Sequence, residues 1–130
     1  MTAMTSNRYD PAHAPDPEEW LALDEQERLD RVRAYHIRTG IKLPNVQVHA
    51  TLHAIVENQI ALGDETPVRN KARQLMAQGL DRHEAIHAIA SVLVKHISTV
   101  VHDPSAADDV NQRYYAALSR LNARKWLRPG

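Results

Sequence analysis

A seven-residue phrase occurs twice in this chain. Residues 49–55 read His-Ala-Thr-Leu-His-Ala-Ile, and residues 83–89 read His-Glu-Ala-Ile-His-Ala-Ile. Each copy has two histidines four positions apart, followed by the same Ala-Ile step. On an α-helix, residues i and i+4 stand one above the other on the same face. Two such helices packed side by side would bring His49, His53, His83 and His87 to a common point. Four imidazoles gathered in that way make a site for a divalent transition metal.

The rest of the chain supports a helical setting for both copies. Asp16-Pro17-Glu18-Glu19 reads as a helix start, with a capping acid, an early proline and two acids at the positive end of the helix dipole. Asp24 restarts that helix, and Leu29, Val32 and His36 form its buried stripe up to Gly40. Pro44-Asn45 opens a second helix to about Leu62, with Val48, Leu52, Ile55, Val56 and Ile60 as its apolar stripe. His49 and His53 border that stripe, Glu57 continues the same edge, and Gln59 falls inside it and needs a hydrogen-bond partner. A third helix runs from Pro67 to about Gln78, and Gly79 ends it.

Asp81 caps the fourth and longest helix, to about Val101, with Ile86, Ile89, Ala90, Leu93, Val94, Ile97 and Val100 as its stripe and His83 and His87 on the border. His96 projects from nearly the opposite side, and neither it nor His102 belongs to the expected site. Asp103-Pro104-Ser105 begins a last helix carrying Val110, Tyr114, Ala117, Leu118 and Leu121. No segment alternates like a strand. The expectation is an all-α single domain, a bundle of four to five amphipathic helices over residues 16–130, behind a flexible arm over residues 1–15. The two copies of the phrase lie 34 residues apart, a period shared with tetratricopeptide arrays, but the Trp, Gly and Tyr positions of that repeat are missing. A pseudo-repeated central pair of helices fits better.

Composition narrows the chemistry. There is no cysteine, so any metal must use imidazole, carboxylate or water. Sixteen basic and 16 acidic residues cancel, which argues against a nucleic-acid protein. The acidic stretch from Asp10 to Asp30 and the basic tail from Arg113 to Arg128 read as solvated or mutually facing segments. No run of 18 apolar residues and no apolar signal core is present, so the expected setting is soluble and cytoplasmic, without a membrane.

Four neutral imidazoles crowded at a helix interface resist protonation, and a divalent cation prefers the neutral ring. Each ligating ring needs its second nitrogen oriented by an acceptor, for which Glu57, Asn58, Gln59 and Glu84 are available. Zinc and iron are the leading ions, with nickel and copper also suited to a sulfur-free set. Residues 83–87 spell His-Glu-x-x-His, the spacing in which zinc peptidases place two ligands around a general base, Glu84 here. His49, His53 or Glu57 would then be the third ligand. A dinuclear arrangement is a further alternative, because His53-x-x-x-Glu57 and His83-x-x-x-His87, with His36 from another helix, resemble the paired spacings of hemerythrin-like bundles. Hydrolytic or oxygen chemistry would follow from an open coordination position. The rival class is a metal-free helical interaction module whose histidines form polar seams, as at a homodimer interface.

The segment from Asn45 to Ile97 also resembles a bacterial family known as the domain of unknown function numbered eighteen forty-one. The resemblance rests on Asn45, His49, His53, Gln59, Asp64, Pro67, His83 and His87. It implies an all-helical domain and the four histidines as shared features, and it brings no activity with it. Glu57 stands where that family has a basic residue and Glu84 where it has no acid, so the resemblance implies neither glutamate as a ligand.

Overall fold

The computed structural model describes residues 8–40 and 45–127, and all regular structure among them is helical. The helices are α1 (Pro17–Ala22), α2 (Glu25–Arg38), α3 (Val46–Ala61), α4 (Val68–Ala77), α5 (Arg82–His102), α6 (Val110–Arg120) and α7 (Ala123–Leu127). Short 3-10 turns at Gly63–Glu65 and Pro104–Asp109 precede α4 and α6.

Local chemistry sets most of these boundaries. The side chains of Asp16, Asp24, Asn45 and Asp81 accept from the backbone N–H three residues on, at 2.8–3.0 Å, and start α1, α2, α3 and α5. The expected restart at Asp24 thus separates two helices, because its own cap leaves Leu23 extended. The described residues hold seven helices against the four or five expected. The surplus is α1 and α7, pieces of six and five residues. Near α7, Asn122 caps a fresh turn by accepting from the Lys125 N–H at 2.8 Å. Pro44, expected to help open α3, lies outside the described residues. Between α4 and α5 the Leu80 N–H returns to the Leu75 carbonyl at 3.1 Å, with Gly79 at φ +110° supplying a turn that other residues adopt only with strain.

Helix α3 organises the packing, touching α1, α2, α4 and α5. One side, with the small residues Ala50 and Ala54, meets Tyr9, Trp20 and Val32. The other side, through Val56, joins the larger core of Val68, Leu75, Ile86, Ile89, Leu93, Tyr114 and Leu118. Alanines on the first side are what let α2 lie close against α3. The Val48 position, expected in the buried stripe, is 49% exposed, because the α2-facing surface of α3 is carried by alanine instead.

On α5 the buried stripe runs through Ile86, Ile89, Ala90 and Leu93 and then ends, leaving Val94, Ile97 and Val101 exposed. By length and composition α5 would also suit a bilayer, but here it packs against α3, α4 and α6. Gln59 has the partner its position demands, since Tyr114 Oη donates to Gln59 Oε1 at 2.8 Å.

Residues 8–15 fall within the expected arm, yet Tyr9 and Pro11 are buried in the bundle. An ion pair explains why. Arg82, the first residue of α5, donates twice to Glu57 of α3, at 2.7 and 2.8 Å, and both side chains are buried. Tyr9 Oη donates to the same carboxylate, and Arg82 Nη1 donates to the Pro11 carbonyl at 3.0 Å. The buried charges need every one of these partners, and the Tyr9–Pro11 segment provides two of them.

Glu57→Gln leaves the Arg82 charge buried with a weaker acceptor, and it should destabilise the protein by about 3–5 kcal/mol in urea denaturation. The double variant Glu57→Leu, Arg82→Met removes both charges and should recover most of that loss. A double variant as unstable as Glu57→Gln would show that the loss is not that of an unpaired charge.

Candidate metal centre

Three helices bring histidines to one place. His36 comes from the last turn of α2, His49 and His53 from the first half of α3, and His83 and His87 from the first turns of α5. His53 is central. Its ring centroid lies 4.8 Å from that of His36, 4.7 Å from His49, 5.2 Å from His83 and 4.8 Å from His87. His83 and His87 stand 4.3 Å apart, and His36 and His49 4.6 Å apart. The four histidines named from sequence are therefore neighbours, and His36 is a fifth.

The tightest donor set differs from the sequence quartet by one residue. Nitrogens of His36, His49, His53 and His87 all lie within 4.8 Å of one another. His36 stands in that set in place of His83. Its position was visible in the sequence, because a histidine in the α2 stripe after Leu29 and Val32 is a polar group on a buried face. His83 sits beside Arg82 at the very start of α5, where its ring meets His87, His53 and the edge of Tyr35. A tetrahedral ion at about 2.0–2.1 Å from each nitrogen would hold those nitrogens about 3.3 Å apart, so ligation would have to close the longest separation by at most about 1.5 Å.

His36 and His53 are fully buried, while His49, His83 and His87 are half-buried. His36 Nδ1 donates to the Val32 carbonyl at 2.8 Å, which leaves the lone pair on Nε2 facing the cluster. That Nε2, both ring nitrogens of His53, and Nε2 of His83 and of His87 are buried without a protein partner. Native proteins leave few such atoms, and His53 carries two of the five, pointing to opposite sides of its ring, so no single point gathers them all. A cation held by His36, His53 and His87 would take one lone pair from each of those rings, three of the five.

The acceptors expected to orient these rings are committed elsewhere. Glu57 is held by Arg82 and Tyr9, and Gln59 by Tyr114. Asn58 Oδ1 accepts from Trp20 Nε1 at 2.9 Å and from Arg28 Nη1 at 3.1 Å. Glu84 Oε1 accepts from Trp126 Nε1 at 2.8 Å. Packing and one backbone carbonyl therefore orient the rings, rather than carboxylates. The contacts of Glu57 occupy both its oxygens, whereas Trp126 engages only one oxygen of Glu84. Among the remaining histidines, His96 and His102 bond to carbonyls one turn back on α5, and His13 is exposed beside Asp10.

Burial and mutual repulsion keep the cluster neutral. Burial lowers His53 to about 2, with further lowering by the rings of His87, His36, His49 and His83. Burial lowers His87 to about 4, helped by His83, His49 and His36. His36, His49 and His83 are lowered in the same direction, also chiefly by burial. The Val32 carbonyl opposes the shift at His36, and Asp81, Glu84 and Asp10 oppose it at His83. A neutral imidazole cage is the protonation state that metal ligation needs.

No family model, curated protein or solved structure matches the chain. The chemistry of the site accordingly rests on the imidazoles themselves.

The lowered values carry a pH dependence with a definite sign. Unfolded histidine titrates near 6.5, and His87 in the fold near 4, so between those values the unfolded chain binds more protons. The metal-free protein is therefore most stable above about pH 6.5 and should lose stability steadily as pH falls towards about 4. Urea denaturation across that range checks this, and His53→Leu should flatten the slope. A slope unchanged by His53→Leu would mean that His53 is not held neutral.

Proposed function

We propose that this protein binds one divalent transition-metal ion between α2, α3 and α5. His36, His49, His53 and His87 are the ligands, and His83 stands against them. The reading rests on one observation, that one nitrogen each of His36, His49, His53 and His87 lie within 4.8 Å of one another where three helices meet, and that His36, His53 and His87 each have a buried nitrogen without a protein partner. It treats the two His-x-x-x-His helices as a pseudo-repeated pair, α3 and α5, completed by a ligand from α2.

An all-nitrogen donor set favours zinc over iron, because non-haem iron centres of this size usually include a carboxylate. Four imidazoles saturate a tetrahedral ion, the arrangement of a structural or sensing centre. His49 and His87 are half-buried, so the cluster reaches solvent on their side. Release of either ring would open a coordination position for water, which is the route by which hydrolytic chemistry enters this reading. The rival is a metal-free interaction or homodimerisation module in which the same histidines are structural polar seams, with the exposed Val94, Ile97 and Val101 of α5 as an apolar face. A polar seam gives no reason for four imidazole nitrogens to lie within 4.8 Å of one another.

Protein prepared without a histidine tag should carry, or take up, one zinc ion per chain by elemental analysis. Saturating metal at about a thousand times Kd should add about 4 kcal/mol of stability, reversed by chelator. His36→Ala and His53→Ala should each abolish that gain, whereas His96→Ala should leave it intact. Absence of uptake, with melting unaffected by zinc or chelator, would refute the proposal.

A further inference from the structure

A second feature lies outside the histidine cluster. Helices α1 and α4 both pack on α3, and a cavity of about 190 Å³ lies against all three. Its apolar wall is formed by Trp20 of α1, Ile60 of α3, and Ala72 and Met76 of α4. Its charged groups are Arg69, Arg73 and Arg82 against a single carboxylate, Glu57. Glu57 and Arg82 satisfy each other, so the two arginines of α4 set the field in the cavity.

Arg69 and Arg73 are four residues apart and share one face of α4. The Arg69 guanidinium lies against Gly63, where a Cβ would stand 3.1 Å from Nη1. It donates through Nη2 to the exposed Asp64 at 2.9 Å, yet its Nε is buried without an acceptor. Arg73 is exposed and, among the described residues, makes no ion pair or hydrogen bond. A buried guanidinium N–H without an acceptor is unfavourable, and a carboxylate meets an arginine fork with charge-assisted bonds.

We propose that this cleft binds a small monocarboxylate. The carboxylate pairs with Arg69 and Arg73, and a short aliphatic or aromatic portion lies against Trp20, Ile60 and Met76. The volume sets the size class, since cavities for drug-sized ligands run to about 300–1,000 Å³. At 190 Å³ the cleft suits a ligand of few heavy atoms and excludes a nucleotide. Inorganic phosphate would satisfy the arginines but leave the apolar wall wet. The site is independent of the metal centre, because the Glu57–Arg82 pair closes the cleft on the α3–α5 side.

Isothermal titration of the full chain with hexanoate near neutral pH tests this, with 1-hexanol and inorganic phosphate as comparison ligands. Hexanoate should bind at one saturable site, with 1-hexanol and phosphate each at least about tenfold weaker. Arg73→Gln alters an exposed side chain and should keep the fold, which circular dichroism verifies, while weakening hexanoate at least about tenfold. Chelator treatment should leave hexanoate binding unchanged, so failure of the metal reading would not disturb this result. Equal affinity for 1-hexanol and hexanoate, unchanged binding in Arg73→Gln, or no saturable heat with hexanoate would each overturn the proposal.

Discussion

The structure depends on keeping a group of imidazoles neutral and out of water. His53 is in ring contact with four other histidines and fully buried, so protonating any one ring raises the cost of protonating the next. An apolar core could have filled the same space more cheaply. Leucine at these positions would carry no unsatisfied nitrogen and no titration. The arrangement is therefore costly as packing and well suited as a ligand set, which is the physical reason to read it as a site.

The cluster does not stand alone. One turn along α3 from His53, and one residue before His83, the Glu57–Arg82 pair ties α3 to α5 at close range. Tyr9 and the Pro11 carbonyl complete its hydrogen bonds, so the chain ahead of α1 is fastened over the same helix pair. A buried ion pair is weak evidence for net stability, but its geometry is directional. Here it sets how α3 and α5 sit against each other, and thereby how far His53 lies from His83 and His87. The charge needed by the fold and the neutrality needed by the cluster are a helical turn apart on α3 and one residue apart on α5.

Much of this was legible in the sequence because it is local. The Asp16, Asp24, Asn45 and Asp81 caps appear in the structure as read from the residues, and so do the buried positions of Val32, His36 and Val56. The pairing of His49 with His53 and of His83 with His87 also followed from spacing and helix geometry, while the meeting of the two pairs depends on how α3 packs on α5. What escaped was non-local. His36 was readable as a candidate on the α2 stripe, but nothing in the spacing says that α2 crosses α3 at Ala50 and Ala54 and sets it among the grouped donors in place of His83. Periodicity also does not reveal that Glu57 faces an arginine from α5, that Glu84 faces Trp126, or that Tyr9 packs inward. Each of those facts is a choice of partner across the bundle, and a stripe on one helix does not name the helix it meets.

X-ray absorption at the zinc edge of the metal-loaded protein tests the central claim most directly. A shell of four nitrogens at about 2.0–2.1 Å, with the outer scattering of imidazole rings and no sulfur, is the predicted result. A shell dominated by carboxylate or water oxygens, or one unaltered by His36→Ala and His53→Ala, would contradict the account.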